Sequence, residues 1–131
     1  MPPVSRFARV LRLATGIGLL AVAILHGLGY FKVSPLARGF GHFEGLFRDL
    51  WLSFAMHYLL LGCIVLLAAG RDSTGTRVLL GLAALVPLAD ALLQMVYVGF
   101  IPPTGILLGV AAIGLGAASQ SRSSSNESAG G

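Results

Sequence analysis

The sequence predicts an all-α membrane protein, a bundle of four transmembrane helices with both termini on the inner side. Three observations predict it. Of 131 residues, 56% are hydrophobic and only 11% are charged, whereas a soluble domain of this size carries about 25% charged residues. Four apolar stretches fill the chain almost end to end. Three of them carry polar residues at one shared depth, namely His26, His57, Asp90 and Gln94. Polar groups within a bilayer are costly, so their clustering marks the place where function is to be sought.

The helices are expected at residues 13–31, 50–69, 78–98 and 104–118. A span needs about 20 apolar residues and at least about 17. The first three satisfy this, and the fourth is short. The first stretch also has the outline of a signal peptide. Arg6, Arg9 and Arg12 precede an apolar core, and Ala21, Val22 and Ala23 form a small-x-small triplet. That triplet lies inside the apolar run, which continues through Tyr30, so an uncleaved helix is the expectation. The Ser- and Gly-rich residues 119–131 are expected to form a disordered cytoplasmic tail. The transmembrane domain then spans residues 1–118.

Charge sets the orientation. With the N-terminus inside, Arg6, Arg9, Arg12, Arg71, Arg77 and Arg122 lie inside, and Lys32, Arg38 and Arg48 lie outside. Such a bias favours both termini in the cytoplasm of a multi-pass protein of the bacterial inner membrane. The net charge of +4 is therefore read as topology and headgroup contact. Nucleic acid is not an expected partner, since the basic residues form no stripe and no motif. The connection at 32–49 alternates Gly39, Gly41 and Gly45 with Phe40, Phe43 and Phe47. It suits either an interfacial segment with its rings in the headgroup layer or a plain connector. His42, Glu44, Arg48 and Asp49 of this connection are expected to face solvent or headgroups.

The rise of 1.5 Å per residue puts the polar residues within roughly 10 Å of the midplane, all in the outer half. Faces agree with depth. Pro87, Asp90, Ala91, Gln94 and Tyr97 form one stripe, Ser53 and His57 another, and Ala23, His26, Gly27 and Tyr30 a third. All three are expected to point into the bundle. Pro87 is expected to kink its helix and free the Ala83 carbonyl beside Asp90. His26, His57, Asp90, Gln94, Ser53 and Tyr97 are the candidate ligand-binding residues. Each also has a structural reading, as an interhelical hydrogen bonder or a pin of helix register.

In the fourth helix Gly105, Gly109, Ala112 and Gly116 share one face. This small-residue seam suits close packing within the bundle, in a homodimer or in a membrane complex. Cys63 has no second cysteine to pair with and reads as an apolar filler.

Several chemistries compete. His26 and His57 would be the axial pair of a single b-type haem. With Asp90 they would make a two-His, one-carboxylate metal set, although no local ligand-spacing motif supports a metal. No catalytic residue stands out, since Ser53 beside His57 is the only nucleophile–base pairing, and the cofactor is left open. A proton relay lacks titratable groups in the inner half. There remain a partly polar pocket for a quinone, a lipid or another amphipathic molecule, and a non-catalytic accessory subunit of a membrane complex.

The run from Gly16-Ile17-Gly18 to His26-Gly27, with Leu50-Trp51 followed by His57-Tyr58-Leu59-Leu60-Leu61-Gly62, resembles the small uncharacterised four-helix membrane proteins of bacteria, loosely the DoxX-like group. The likeness extends over about residues 12–118. It implies a four-helix inner-membrane protein and carries no functional residues across.

Overall fold

A computed structural model of the chain describes residues 4–120. Its regular structure is entirely helical: α1 (Arg6–Ala37), a 3-10 segment (Arg38–Phe43), α2 (Glu44–Ala68), α3 (Thr74–Tyr97) and α4 (Pro102–Ser119). The helices outrun the apolar stretches that announce them because capping, rather than hydropathy, sets their ends. The Ser5 side chain accepts from the Ala8 N–H at 3.1 Å and starts α1 seven residues before residue 13. The Ser73 hydroxyl accepts from the Thr76 N–H at 3.1 Å and starts α3 four residues before residue 78. The α-helix α3 runs through Pro87 to Tyr97 without a break. Ser119 closes α4 rather than opening the tail, and the rest of the tail, 121–131, lies outside the described residues.

The expectation of four separate spans is met in part. Three helical runs are long and apolar enough to cross a membrane: Arg6–Ala68, Thr74–Tyr97 and Pro102–Ser119. The first is 63 residues long because helical hydrogen bonding continues through the 3-10 segment that joins α1 to α2. Gly41 interrupts that run with φ 57° and ψ −125°, a conformation open to glycine and strained for other residues.

Beyond Gly41, α2 returns antiparallel along α1. A Cβ at Gly16 would lie 2.7 Å from the Leu66 side chain and 3.3 Å from the Gly62 carbonyl oxygen. A Cβ at Gly62 would lie 2.8 Å from Leu20 and 3.1 Å from the Gly16 carbonyl oxygen. Only paired glycines let the two backbones approach this closely. The mouth of the hairpin is held by Arg48, whose Nη2 pairs with Glu44 at 2.5 Å and donates to the Ser34 carbonyl at 3.2 Å.

Around the bundle the order is α2, α1, α4, α3. Helix α1 packs on α2 and α4, α3 packs on α4, and α2 and α3 meet least. The core is built from Leu19, Val22 and Ala23 of α1, Tyr58 and Val65 of α2, Leu80, Ala83 and Ala91 of α3, and Leu107, Val110 and Ala117 of α4. The exterior is also apolar. Leu67 is 79% and Val96 75% exposed, and surface of that kind needs a non-aqueous surround.

This packing corrects one sequence expectation, for Arg12, and narrows another, for the α4 seam, from bundle, homodimer or complex to the last two. Arg12, expected among inner-side charges at the headgroups, is fully buried. Its Nη1 donates to the Arg71 carbonyl at 2.6 Å and its Nη2 to Asp72 Oδ1 at 3.1 Å, which clamps the α2–α3 connection to α1. The small-residue seam of α4 faces outward: Gly105, Gly109 and Ala112 are exposed and Gly116 is half-buried. The face that α4 buries carries Thr104, Leu107, Val110, Ala111, Gly114 and Ala117.

Candidate ligand cavity

The bundle holds a half-open cavity of about 770 Å³ at the end that bears the α1–α2 connection and the α3–α4 turn. All four helices line it. Val22, Leu25 and Val33 of α1, Leu93 of α3 and Ile106 and Leu107 of α4 make its apolar walls. Phe47, Trp51 and Phe54 of α2 add aromatic rings. Five polar or charged side chains, His26, Lys32, Tyr58, Asp90 and Gln94, are among its lining residues.

Each polar group is positioned by its helix. The His26 ring stacks on Trp51 with centroids 4.3 Å apart and planes 18° apart. The Trp51 Nε1–H donates to the His26 carbonyl at 2.8 Å, which fixes the indole. His26 Nε2 is buried and has no hydrogen-bond partner among the described residues. Across the cavity, the Tyr58 hydroxyl donates to Asp90 Oδ2. Tyr58 is itself 2% exposed, and this bond joins α2 to α3, the two helices that meet least. The Thr104 hydroxyl accepts from the Ile101 N–H at 3.4 Å and donates to Gln94 Oε1 at 2.9 Å. That arrangement fixes the sense of the amide and turns the Gln94 N–H₂ toward other partners.

Of the six candidates read from the sequence, three line the cavity: His26, Asp90 and Gln94. The other three do not. His57 is exposed on the outer face of α2, where its Nδ1–H donates to the Ser53 carbonyl at 2.7 Å. Ser53 lies on the same face, in a shallow groove with Asp49, Met56 and His57. Tyr97 is 81% exposed at the end of α3. The expected convergence of His26, His57 and Asp90 is therefore corrected. The core-facing stripe of α2 is Tyr58, Gly62, Val65 and Ala69, and adjacent residues on a helix point about 100° apart. A polar pair, Ser53 and His57, suggested one face, while the close contact at Gly62 dictates the next. Tyr58 is the residue that this reading missed. Its signal was its place four residues before Gly62, in register with the Gly16 approach.

This geometry removes the second axial ligand from a haem held by His26 and His57. No group of three His, Cys, Asp or Glu residues able to hold a metal is present among the described residues. What the cavity does offer is one acidic oxygen pair, one amide donor and one imidazole at the edge of an apolar, aromatic chamber. No protein-family description matches the chain, and no curated protein or solved structure is similar to it.

Proposed function

We propose that this chain is a four-span protein of the bacterial inner membrane, with both termini cytoplasmic, whose outer-half cavity binds an amphipathic molecule such as a quinone or a lipid. The reading treats α1 and α2 as separate spans, since the chain reverses at Gly41 and the two helices lie antiparallel. At 1.5 Å per residue the 32 residues of α1 reach about 48 Å, enough to cross the ~30 Å hydrocarbon core alone.

The observation that carries the proposal is the cavity itself. Its volume of about 770 Å³ lies within the roughly 300–1,000 Å³ usual for small-molecule sites, and its mostly apolar lining with a few converging polar groups is the usual composition of such sites. The side on which α2 and α3 meet least would face the acyl chains, a lateral route for a ligand dissolved in the bilayer. His26 Nε2 and the Gln94 N–H₂ supply hydrogen-bonding groups for a carbonyl or hydroxyl head.

Trp51 is the sole tryptophan of the chain and lines the cavity, so its fluorescence reports occupancy directly. Decylubiquinone added to the detergent-solubilised protein is expected to quench Trp51 saturably. His26→Ala is expected to weaken that binding at least tenfold, and His57→Ala to leave it unchanged. Quenching that rises without saturation, or that responds equally to both substitutions, would refute the site.

A second reading, an accessory subunit of a membrane complex, draws on the outward seam of α4. A Cβ at Gly109 or Gly116 meets no atom within 4 Å, so a neighbouring helix could approach there. Gly109→Leu is expected to dissociate a homodimer or complex seen by size exclusion in mild detergent. An unchanged elution volume counts against that reading.

A further inference from the structure

Asp90 is the one acidic side chain that lines the cavity. Its only hydrogen bond among the described residues comes from the Tyr58 hydroxyl, and the ion pairs among those residues involve Asp72 and Glu44 but not Asp90. A carboxylate placed in apolar surroundings needs a countercharge, and a neutral hydroxyl does not supply one. Two basic side chains, His26 and Lys32, line the same cavity, and neither is ion-paired to Asp90 among the described residues. Lys32 lies six residues and about 9 Å of helix rise beyond His26, toward the α1–α2 connection. Arg12 is committed to Asp72 at the opposite end of the bundle.

The walls around Asp90 add a second observation. Phe47, Trp51, Phe54 and Tyr58 all line the same chamber, and the faces of aromatic rings attract cations, more strongly where water is excluded. An unpaired carboxylate with several aromatic rings about an apolar cavity is the chemistry that recognises a bulky organic cation. The side on which α2 and α3 meet least is the route by which a cation soluble in a bilayer would enter.

We propose that the cavity selects amphipathic organic cations, a quaternary ammonium or a charge-delocalised aromatic cation, with Asp90 as the counter-ion. This rests on the reading of the cavity as a ligand site and names the class of ligand. The shared chemistry has two sources, a free lipophilic cation and the ammonium headgroup of a phospholipid.

Tetraphenylphosphonium and tetraphenylborate have nearly the same shape and opposite charge, so the pair isolates the role of charge. Trp51 fluorescence of the detergent-solubilised protein is titrated with each, and with decylubiquinone as the neutral probe. Saturable binding of tetraphenylphosphonium at least tenfold tighter than that of tetraphenylborate is expected. Asp90→Asn keeps an acceptor for the Tyr58 hydroxyl and removes the charge. It is expected to weaken tetraphenylphosphonium at least tenfold. Asp90→Glu is expected to restore cation binding, and it serves as the second variant should the Asn protein fail to fold.

Equal affinity for the two tetraphenyl ions, or an Asp90→Asn protein that binds the cation as the parent does, overturns the assignment even where decylubiquinone still binds. Failure of all three probes overturns the cavity reading as well. Lipid extraction followed by mass spectrometry separates the sources. Enrichment of ammonium-headgroup lipids in the parent over Asp90→Asn assigns the headgroup, and equal lipid content with cation binding retained in the parent assigns a free cation.

Discussion

Replacing Arg12 by alanine tests whether the buried guanidinium holds the end of the bundle that bears the α2–α3 connection. The side chain is fully buried, and its directional contacts include the Arg71 carbonyl at 2.6 Å and Asp72 Oδ1 at 3.1 Å. A hydrogen bond that involves a charged group contributes about 1.5–3 kcal/mol, and removing one partner of a buried ion pair costs about 3–5 kcal/mol. The lower end applies here. Asp72 is 21% exposed and keeps Arg77 Nε at 3.9 Å, so water and a second cation relieve the stranded carboxylate. The expected loss is therefore about 3 kcal/mol. Arg12→Lys, which keeps the charge but loses the planar fork, is expected to lie between the parent and the alanine variant. Equilibrium unfolding in mixed micelles with rising sodium dodecyl sulfate, followed by circular dichroism, gives each value. A double-mutant cycle with Asp72→Asn isolates the pair, and a coupling above about 0.5 kcal/mol is expected for contacting groups. An Arg12→Ala protein within about 0.5 kcal/mol of the parent, or strictly additive single changes, would refute the clamp.

Gly62→Ala is expected to destabilise the protein by about 1–3 kcal/mol, as overpacking of a close contact does, because the new methyl meets Leu20 at 2.8 Å and the Gly16 carbonyl at 3.1 Å. The same unfolding titration measures it, and a neutral result would mean that α1 and α2 do not depend on close approach. For topology, single cysteines at Ser5, Gly70 and His42 in a Cys63→Ala background are labelled in intact cells with an impermeant maleimide. His42→Cys is expected to react, and Ser5→Cys and Gly70→Cys to be protected. Labelling at either protected position contradicts an inner location of the N-terminus and of the Arg12 clamp.

The all-helical character of this chain, with helices apolar enough to cross a membrane, was legible in composition and in the length of its apolar stretches. Low charge and long apolar stretches leave helices as the economical way to satisfy every backbone group where water is absent. Helix ends were not legible from hydropathy, because Ser5 and Ser73 start α1 and α3 by hydrogen bonding before the apolar residues begin. That His26, Asp90 and Gln94 line one cavity agrees with their shared depth, a one-dimensional property that residue counting captures. Which face of α2 turns inward is a two-dimensional property, and polarity misread it. The close fit of Gly16 against Gly62 rotates Tyr58 into the core and His57 out of it. The outward turn of the α4 seam and the burial of Arg12 have the same origin. A helix buries the face on which its neighbours fit closest, and the neighbours are set by the tertiary arrangement. The sequence by itself determined what the helices are made of and where along them the polar groups lie. Only the packing of α1 against α2 and α4 decided which of those groups meet.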